Sequence, residues 1–92
     1  MDADVEVVRI VLAGRGLDED FVDFVLDRAH RFSLRGTVAL EGGEIRIVAE
    51  GPAALIDMME VACMLGPVQC LVDDVRRETW TGPVPSGRFA RI

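Results

Sequence analysis

The sequence predicts an α+β fold: a βαββαβ sandwich with two helices on one face of an antiparallel sheet. Three observations predict it. Runs rich in β-branched residues alternate apolar with polar positions, two other stretches repeat apolar residues at helical spacing, and Gly or Pro punctuates the junctions. The whole chain, residues 1–92, fits one domain.

Val5 to Ala13 is the first strand, bounded by Gly14 and Gly16. Val8, Ile10 and Leu12 share one face, and Arg9 and Val11 take the other. Gly14-Arg15-Gly16-Leu17-Asp18 reads as a loop, with Asp18 as N-cap of the first helix. From Glu19 to Phe32 the residues Phe21, Val25, Ala29 and Phe32 recur at helical spacing, and Phe24 widens the stripe. Acidic residues crowd the first turn and basic ones the last, as the helix dipole favours. Arg35 to Leu40 and Glu44 to Glu50 are two strands joined through Glu41-Gly42-Gly43, a tight hairpin. Ile45, Ile47 and Ala49 line one face of its second arm.

Gly51-Pro52 opens the second helix, which runs to about Leu65 and stops at Gly66-Pro67. Val68 to Trp80 holds the fourth strand. Thr81 to Ser86 is a loop, and Gly87 to Ile92 adds a short last strand. This order is the ferredoxin-like plan.

Composition narrows the function. Half the residues are hydrophobic, enough for a packed core and too many for a disordered chain. A net charge of −6, from 16 acidic and 10 basic residues with no basic cluster, argues against nucleic acid and anionic membranes as partners. Small phosphorylated substrates are only weakly disfavoured, because a local pocket overrides the global field. The acidic start Met1-Asp2-Ala3-Asp4 lacks the basic and apolar regions of a signal peptide, and no apolar run reaches membrane-spanning length. Cys63 and Cys70 make no disulfide framework. The expected setting is the cytoplasm, with both thiols reduced.

Particular residues now carry a resemblance. Val8-Arg9-Ile10-Val11-Leu12-Ala13-Gly14-Arg15 resembles the first strand of the acylphosphatases with its Gly-Arg ending. Leu34-Arg35-Gly36-Thr37-Val38 resembles that family's Gly-Trp-Val strand, with Thr37 in place of Trp. Glu50-Gly51-Pro52, Gly66-Pro67 and Val72-Asp73-Asp74-Val75 fall at the matching segments, and the match resumes at Gly87-Arg88-Phe89. The resemblance implies the acylphosphatase type of this fold and, for active members, metal-free hydrolysis of carboxyl-phosphate anhydrides. In that chemistry a glycine-rich loop offers backbone N–H groups to the phosphate, an arginine at the helix start binds it, and an asparagine positions the attacking water.

This chain departs from the pattern at each of those groups. Val22 stands at the arginine position and Leu40 at the asparagine position, at the spacing the family requires. The former phosphate loop, Arg15-Gly16-Leu17-Asp18-Glu19-Asp20-Phe21, has Asp18 and Asp20 where the family has glycines. Each like-charge contact there costs about 1 kcal/mol in water and several times more when partly desolvated. The expectation is a domain without catalytic residues, acting as an interaction or ligand-sensing module. The competing reading is a divergent acylphosphatase that has recruited Arg15 or Arg35.

Other constellations read plainly. His30, the only histidine, lies off the apolar stripe and reads as a solvated surface residue. His30 with Cys63 and Cys70 lacks zinc spacing, and Cys63 falls on the core side of its helix. Asp18-Glu19-Asp20 lacks the alternation of a calcium loop. No metal and no cofactor are expected. The central strands offer no aromatics for RNA.

The second helix is the unusual element, with only Asp57 and Glu60 charged. Leu55, Ile56, Met59, Ala62 and Cys63 form its core side. Ala54, Val61, Met64 and Leu65 then project outward, where exposed apolar residues mark an interface for a second copy or a protein partner. The alternative is that the loop Thr81 to Ser86, with Trp80, folds back over them. Both remain open at the level of sequence.

Overall fold

A computed structural model describes residues 4–92. The elements are β1 (Val5–Arg15), α1 (Glu19–Arg31), β2 (Arg35–Glu41), β3 (Glu44–Pro52), α2 (Ala53–Leu65), β4 (Leu71–Thr79) and β5 (Ala90–Arg91). They form one sheet in the order β4-β1-β3-β2-β5. The β1–β3, β1–β4 and β2–β3 pairings are antiparallel, as expected. The short β5 differs, running parallel to β2 beside Thr37 and Val38.

Alternation along the strands decides which face is covered. Ile10, Leu12, Val38, Ile45, Ile47 and Ala49 all have zero exposure and lie beneath the helices. Helix α1 contributes Phe21, Val22, Val25 and Ala29 to this core, and α2 contributes Ile56, Met59 and Cys63. Burying side chains of this size stabilises the fold by about 1.5–3 kcal/mol each. Phe32 is the C-cap of α1 and only packs against the core edge. The Glu41-Gly42-Gly43-Glu44 hairpin is as tight as its glycines require: Glu41 faces Glu44, and Gly42 and Gly43 both have positive φ.

Several boundaries move. Gly51 and Pro52, expected to open the second helix, instead end β3 by pairing with Glu6 and Val5, and Pro52 is the N-cap of α2. Gly14 and Arg15, expected in a loop, extend β1, because a register shift between Ala13 and Gly14 lets them pair with Val72 and Leu71. A Cβ at Gly14 would overlap the Leu71 carbonyl, so that extension depends on glycine. The fourth strand begins only at Leu71, after a turn in which the Cys70 N–H bonds the Pro67 carbonyl at 3.0 Å. The last strand shrinks to Ala90–Arg91.

The loop after β4 also goes elsewhere. Trp80, Pro83, Val84 and Pro85 lie over the open face of the sheet, above Arg9, Thr37, Ala39 and Val48. The Arg9 guanidinium sits 5.6 Å from the Trp80 ring, and the Trp80 Nε1–H donates to the Pro83 carbonyl at 3.2 Å. This loop therefore does not cover α2, which removes that alternative for the outer face of the helix.

Gly36 gives a direct test of how closely β2 and β3 approach. Its φ is +140°, and a Cβ there would overlap the Val48 carbonyl oxygen. Gly42 has φ +58° but open space around it. In thermal unfolding, Gly42→Ala should lose only the roughly 1–2 kcal/mol of a left-handed residue. Gly36→Ala should lose much more. Equal melting temperatures for the two variants would contradict the close approach.

Candidate functional site

The segment between β1 and α1 is built around Asp18. It is extended (φ −131°, ψ −162°) and caps the helix through Oδ1, which accepts the Asp20 N–H at 3.0 Å. Its carbonyl accepts the N–H groups of Phe21 at 3.0 Å and Val22 at 3.2 Å. Two of the donors that an anion at a helix N-terminus would use, the Asp20 and Phe21 amides, are thus satisfied within the chain, while the Val22 N–H makes the first ordinary helical bond.

The surroundings lock this arrangement. Gly16 has φ +74°, and a Cβ there would meet the Gln69 carbonyl at 2.8 Å. The Gly16 carbonyl accepts from the Cys70 thiol at 3.0 Å. Leu17 and Phe21 turn into the core. Arg15 is exposed at the end of β1. Glu19 pairs through both carboxylate oxygens with Arg91 of β5, and that guanidinium holds the Glu19 carboxyl below its usual range. The three acidic residues Asp18, Glu19 and Asp20 are therefore not a converging ligand set: Asp18 caps its own helix, and Glu19 turns to the C-terminal segment. Among the described residues no group of three His, Cys, Asp or Glu side chains is arranged to hold a metal ion.

Val22 has zero exposure and packs in the core between α1 and the sheet. Leu40 is half-buried and rests against the same cluster. Neither position presents a polar group to the loop. Arg35 is ion-paired with Glu50 across β2 and β3 at 3.3 Å. Burial pushes the Cys63 thiol up to about 12 and also raises Cys70, which the carboxylates of Asp18 and Asp20 oppose further in its charged form.

Seventeen to twenty-six per cent identity over nearly the whole chain relates this structure to known proteins. It superposes on an acylphosphatase from Bacillus subtilis with a TM-score of 0.85 and 26% identity, covering 97% of this chain and 99% of that one. The chain has the acylphosphatase fold. A second acylphosphatase, from Coxiella burnetii, gives a TM-score of 0.86 at 22% identity over 97% of this chain and 94% of that one. Full-length HypF, in its phosphate- and nucleotide-bound form, matches all of this acylphosphatase-like chain with 12% of its own length, at a TM-score of 0.83 and 17% identity. No family model matches the sequence, and no curated protein does.

On the far side of α2, the outward residues are where the sequence placed them. Ala54, Val61, Met64 and Leu65 are exposed, and Met58 joins them. Alongside runs a groove of about 650 Å³ between the helices, lined by Phe24, Phe32, Met58, Val61, Ala62 and Leu65 among others. The contribution of α1 was missed in the sequence, where Phe24 and Phe32 counted as core. Val68 and Leu71 are also exposed.

Two further contacts escaped sequence reasoning. His30 is not simply solvated: its ring bonds the Phe89 carbonyl through Nε2 at 2.8 Å, and Nδ1 lies 3.3 Å from the Arg88 guanidinium. In that arrangement Nε2 carries the proton and donates, while Nδ1 accepts. Arg77 on β4 meets Glu6, Asp57 and Glu60 at 2.8, 2.7 and 3.2 Å, tying α2 to the sheet.

The two thiols give a pH-dependent test. Cys63 is neutral when folded, whereas its unfolded value is near the ordinary one of about 8.5. Its contribution to stability is full below that value and is lost as pH rises toward 12. In the folded protein iodoacetamide should label Cys70 and spare Cys63, with Cys63 reacting only on unfolding. Labelling of Cys63 at a rate matching Cys70 in the native state would overturn its burial.

Proposed function

We propose that this acylphosphatase-like chain has lost carboxyl-phosphate hydrolysis and works as a binding module, using the outer face of α2 as its contact surface. The observation that carries the first half is the use of the first-turn amides. With Asp18 occupying the N–H groups of Asp20 and Phe21, two of the first-turn donors that would face a phosphate are already used. Val22 and Leu40 supply neither the cation nor the water-positioning amide that the resemblance requires, and Asp18 and Asp20 oppose a dianion. The former phosphate loop is, in this reading, a structural helix cap.

The second half rests on Ala54, Val61, Met64 and Leu65. A helix face in contact only with water gains more from Lys, Glu or Arg, which solvate freely and favour the helix. A contiguous apolar face beside a groove fits a protein surface or a second copy. The free cysteines Cys63 and Cys70 support a reducing, cytoplasmic setting.

Benzoyl phosphate hydrolysis tests the loss of catalysis. The purified protein should show no turnover above background, and inorganic phosphate at millimolar concentration should leave the amide resonances of Gly16 to Phe21 unmoved. Turnover at ordinary enzymatic rates would reject the reading in favour of a recruited arginine. Val22→Arg with Leu40→Asn should not restore activity. The arginine would enter a fully buried site, so this variant should also lose stability.

The contact surface has its own test. Val61→Glu with Met64→Lys should leave thermal unfolding of the isolated chain unchanged, because both side chains are already exposed. Loss of stability in that variant would show that the face is packed within the chain.

A further inference from the structure

The outer edge of β4 points to a second copy of this chain. Strand β4 has one neighbour, β1, and its other edge is unpaired among the described residues. Such an edge offers a row of backbone donors and acceptors to any strand that fits it. Its charges are ordered Asp73-Asp74-Val75-Arg76-Arg77. This order reverses sign about Val75.

We propose that β4 pairs antiparallel with β4 of a second copy, across a two-fold axis at Val75. In that register Val75 faces its own counterpart, and each Asp74 faces an Arg76. Asp74 and Arg76 lie on the same face of the sheet, opposite Ala13 and Val11 of β1. Residues directly opposite in an antiparallel pair share a face, so each Asp74–Arg76 pair can close. Both side chains are more than half exposed. Their present contacts are long, 3.7 Å to each other and 3.4 Å from Arg76 to Glu44. They remain free to repartner.

The same charges exclude the neighbouring registers. A slip of two residues one way sets Arg76 against Arg76 and Asp74 against Glu78. The opposite slip sets Asp74 against Asp74. Slips of one residue turn one copy over, placing its helices on the other face of the joined sheet. Like charges directly opposite are unfavourable, so a single register survives.

Asp73 comes beside Arg77 in this pairing but adds less. Arg77 already serves Glu6, Asp57 and Glu60, and the register shift opposite Ala13 and Gly14 bends β4 at that end. The shared ladder is therefore short, which fits a reversible dimer.

The test is sedimentation of the full chain across the micromolar to millimolar range, with charge variants. Wild type should dimerise, more weakly as salt rises. Asp74→Arg and Arg76→Asp should each weaken self-association roughly ten-fold or more, since each sets like charges opposite one another. An equimolar mixture of the two variants should recover dimers, because in the mixed pair every position 74 faces a position 76 of opposite charge. Circular dichroism and thermal melting of each variant should match wild type, which separates this effect from misfolding. A wild type that stays monomeric at millimolar concentration overturns the proposal. So does a mixture that fails to associate when both variants are folded. If Val61→Glu with Met64→Lys abolishes a dimer that Asp74→Arg leaves intact, the β4 pairing is wrong and the α2 contact surface stands.

Discussion

Zero exposure at Ile10, Leu12, Ile45 and Ile47 makes one face of the two central strands the floor of the core. Everything else is arranged around that floor. The period of two along each strand sends Arg9, Val11, Arg46 and Val48 to the opposite face. That face is finished with ion pairs such as Arg46 with Glu41 and Glu44, and with the loop that carries Trp80. Both helices must present apolar stripes to the floor, and α1 meets this demand with Val22 as one of its four buried residues. A position that the resemblance associates with a catalytic cation is here part of the packing.

The same demand shapes the loop before α1. A helix that starts under a packed sheet leaves its first amides to be satisfied nearby. Asp18 satisfies two of them, the Asp20 N–H with its side chain and the Phe21 N–H with its carbonyl, and Leu17 and Phe21 anchor the two sides of the turn in the core. Helix capping and anion binding draw on one small set of N–H groups, so a strong internal cap works against an external ligand. A glycine at position 18 would keep the carbonyl bonds to Phe21 and Val22 and free only the Asp20 N–H, the donor that the carboxylate now occupies.

Much of this was readable from residues. Period-two runs located the strands, the Phe21–Val25–Ala29 spacing located α1, and Gly42-Gly43 fixed the hairpin, because each of these signals is local. The outward set Ala54, Val61, Met64 and Leu65 followed from helical geometry alone. The failures were all long-range. Nothing near His30 announces Phe89 and Arg88, which reach it only after the chain has wound around the sheet. Arg77 meets partners from β1 and α2 that sequence separation hides. The Trp80 loop could have crossed either face, and the Arg9 guanidinium on the open face is what meets its ring. At the start of α1 the sequence marked Asp18 as the cap, but which amides its side chain and carbonyl hold required coordinates.

The two edges of the sheet are unequal. Beside β2 lies the short β5, held in place by Glu19 on Arg91 and by His30 on the Phe89 carbonyl. Among the described residues β4 has its whole outer side unpaired, whereas β5 covers β2 only beside Thr37 and Val38. A sheet open on both sides could add copies at each end and grow into a fibre, as exposed edges invite. The C-terminal segment shortens what the β2 side offers to another strand, so β4 carries the longer unpaired edge among the described residues. An isologous contact there uses the longer edge of each copy and closes on itself about the two-fold axis, so that contact alone stops at a pair.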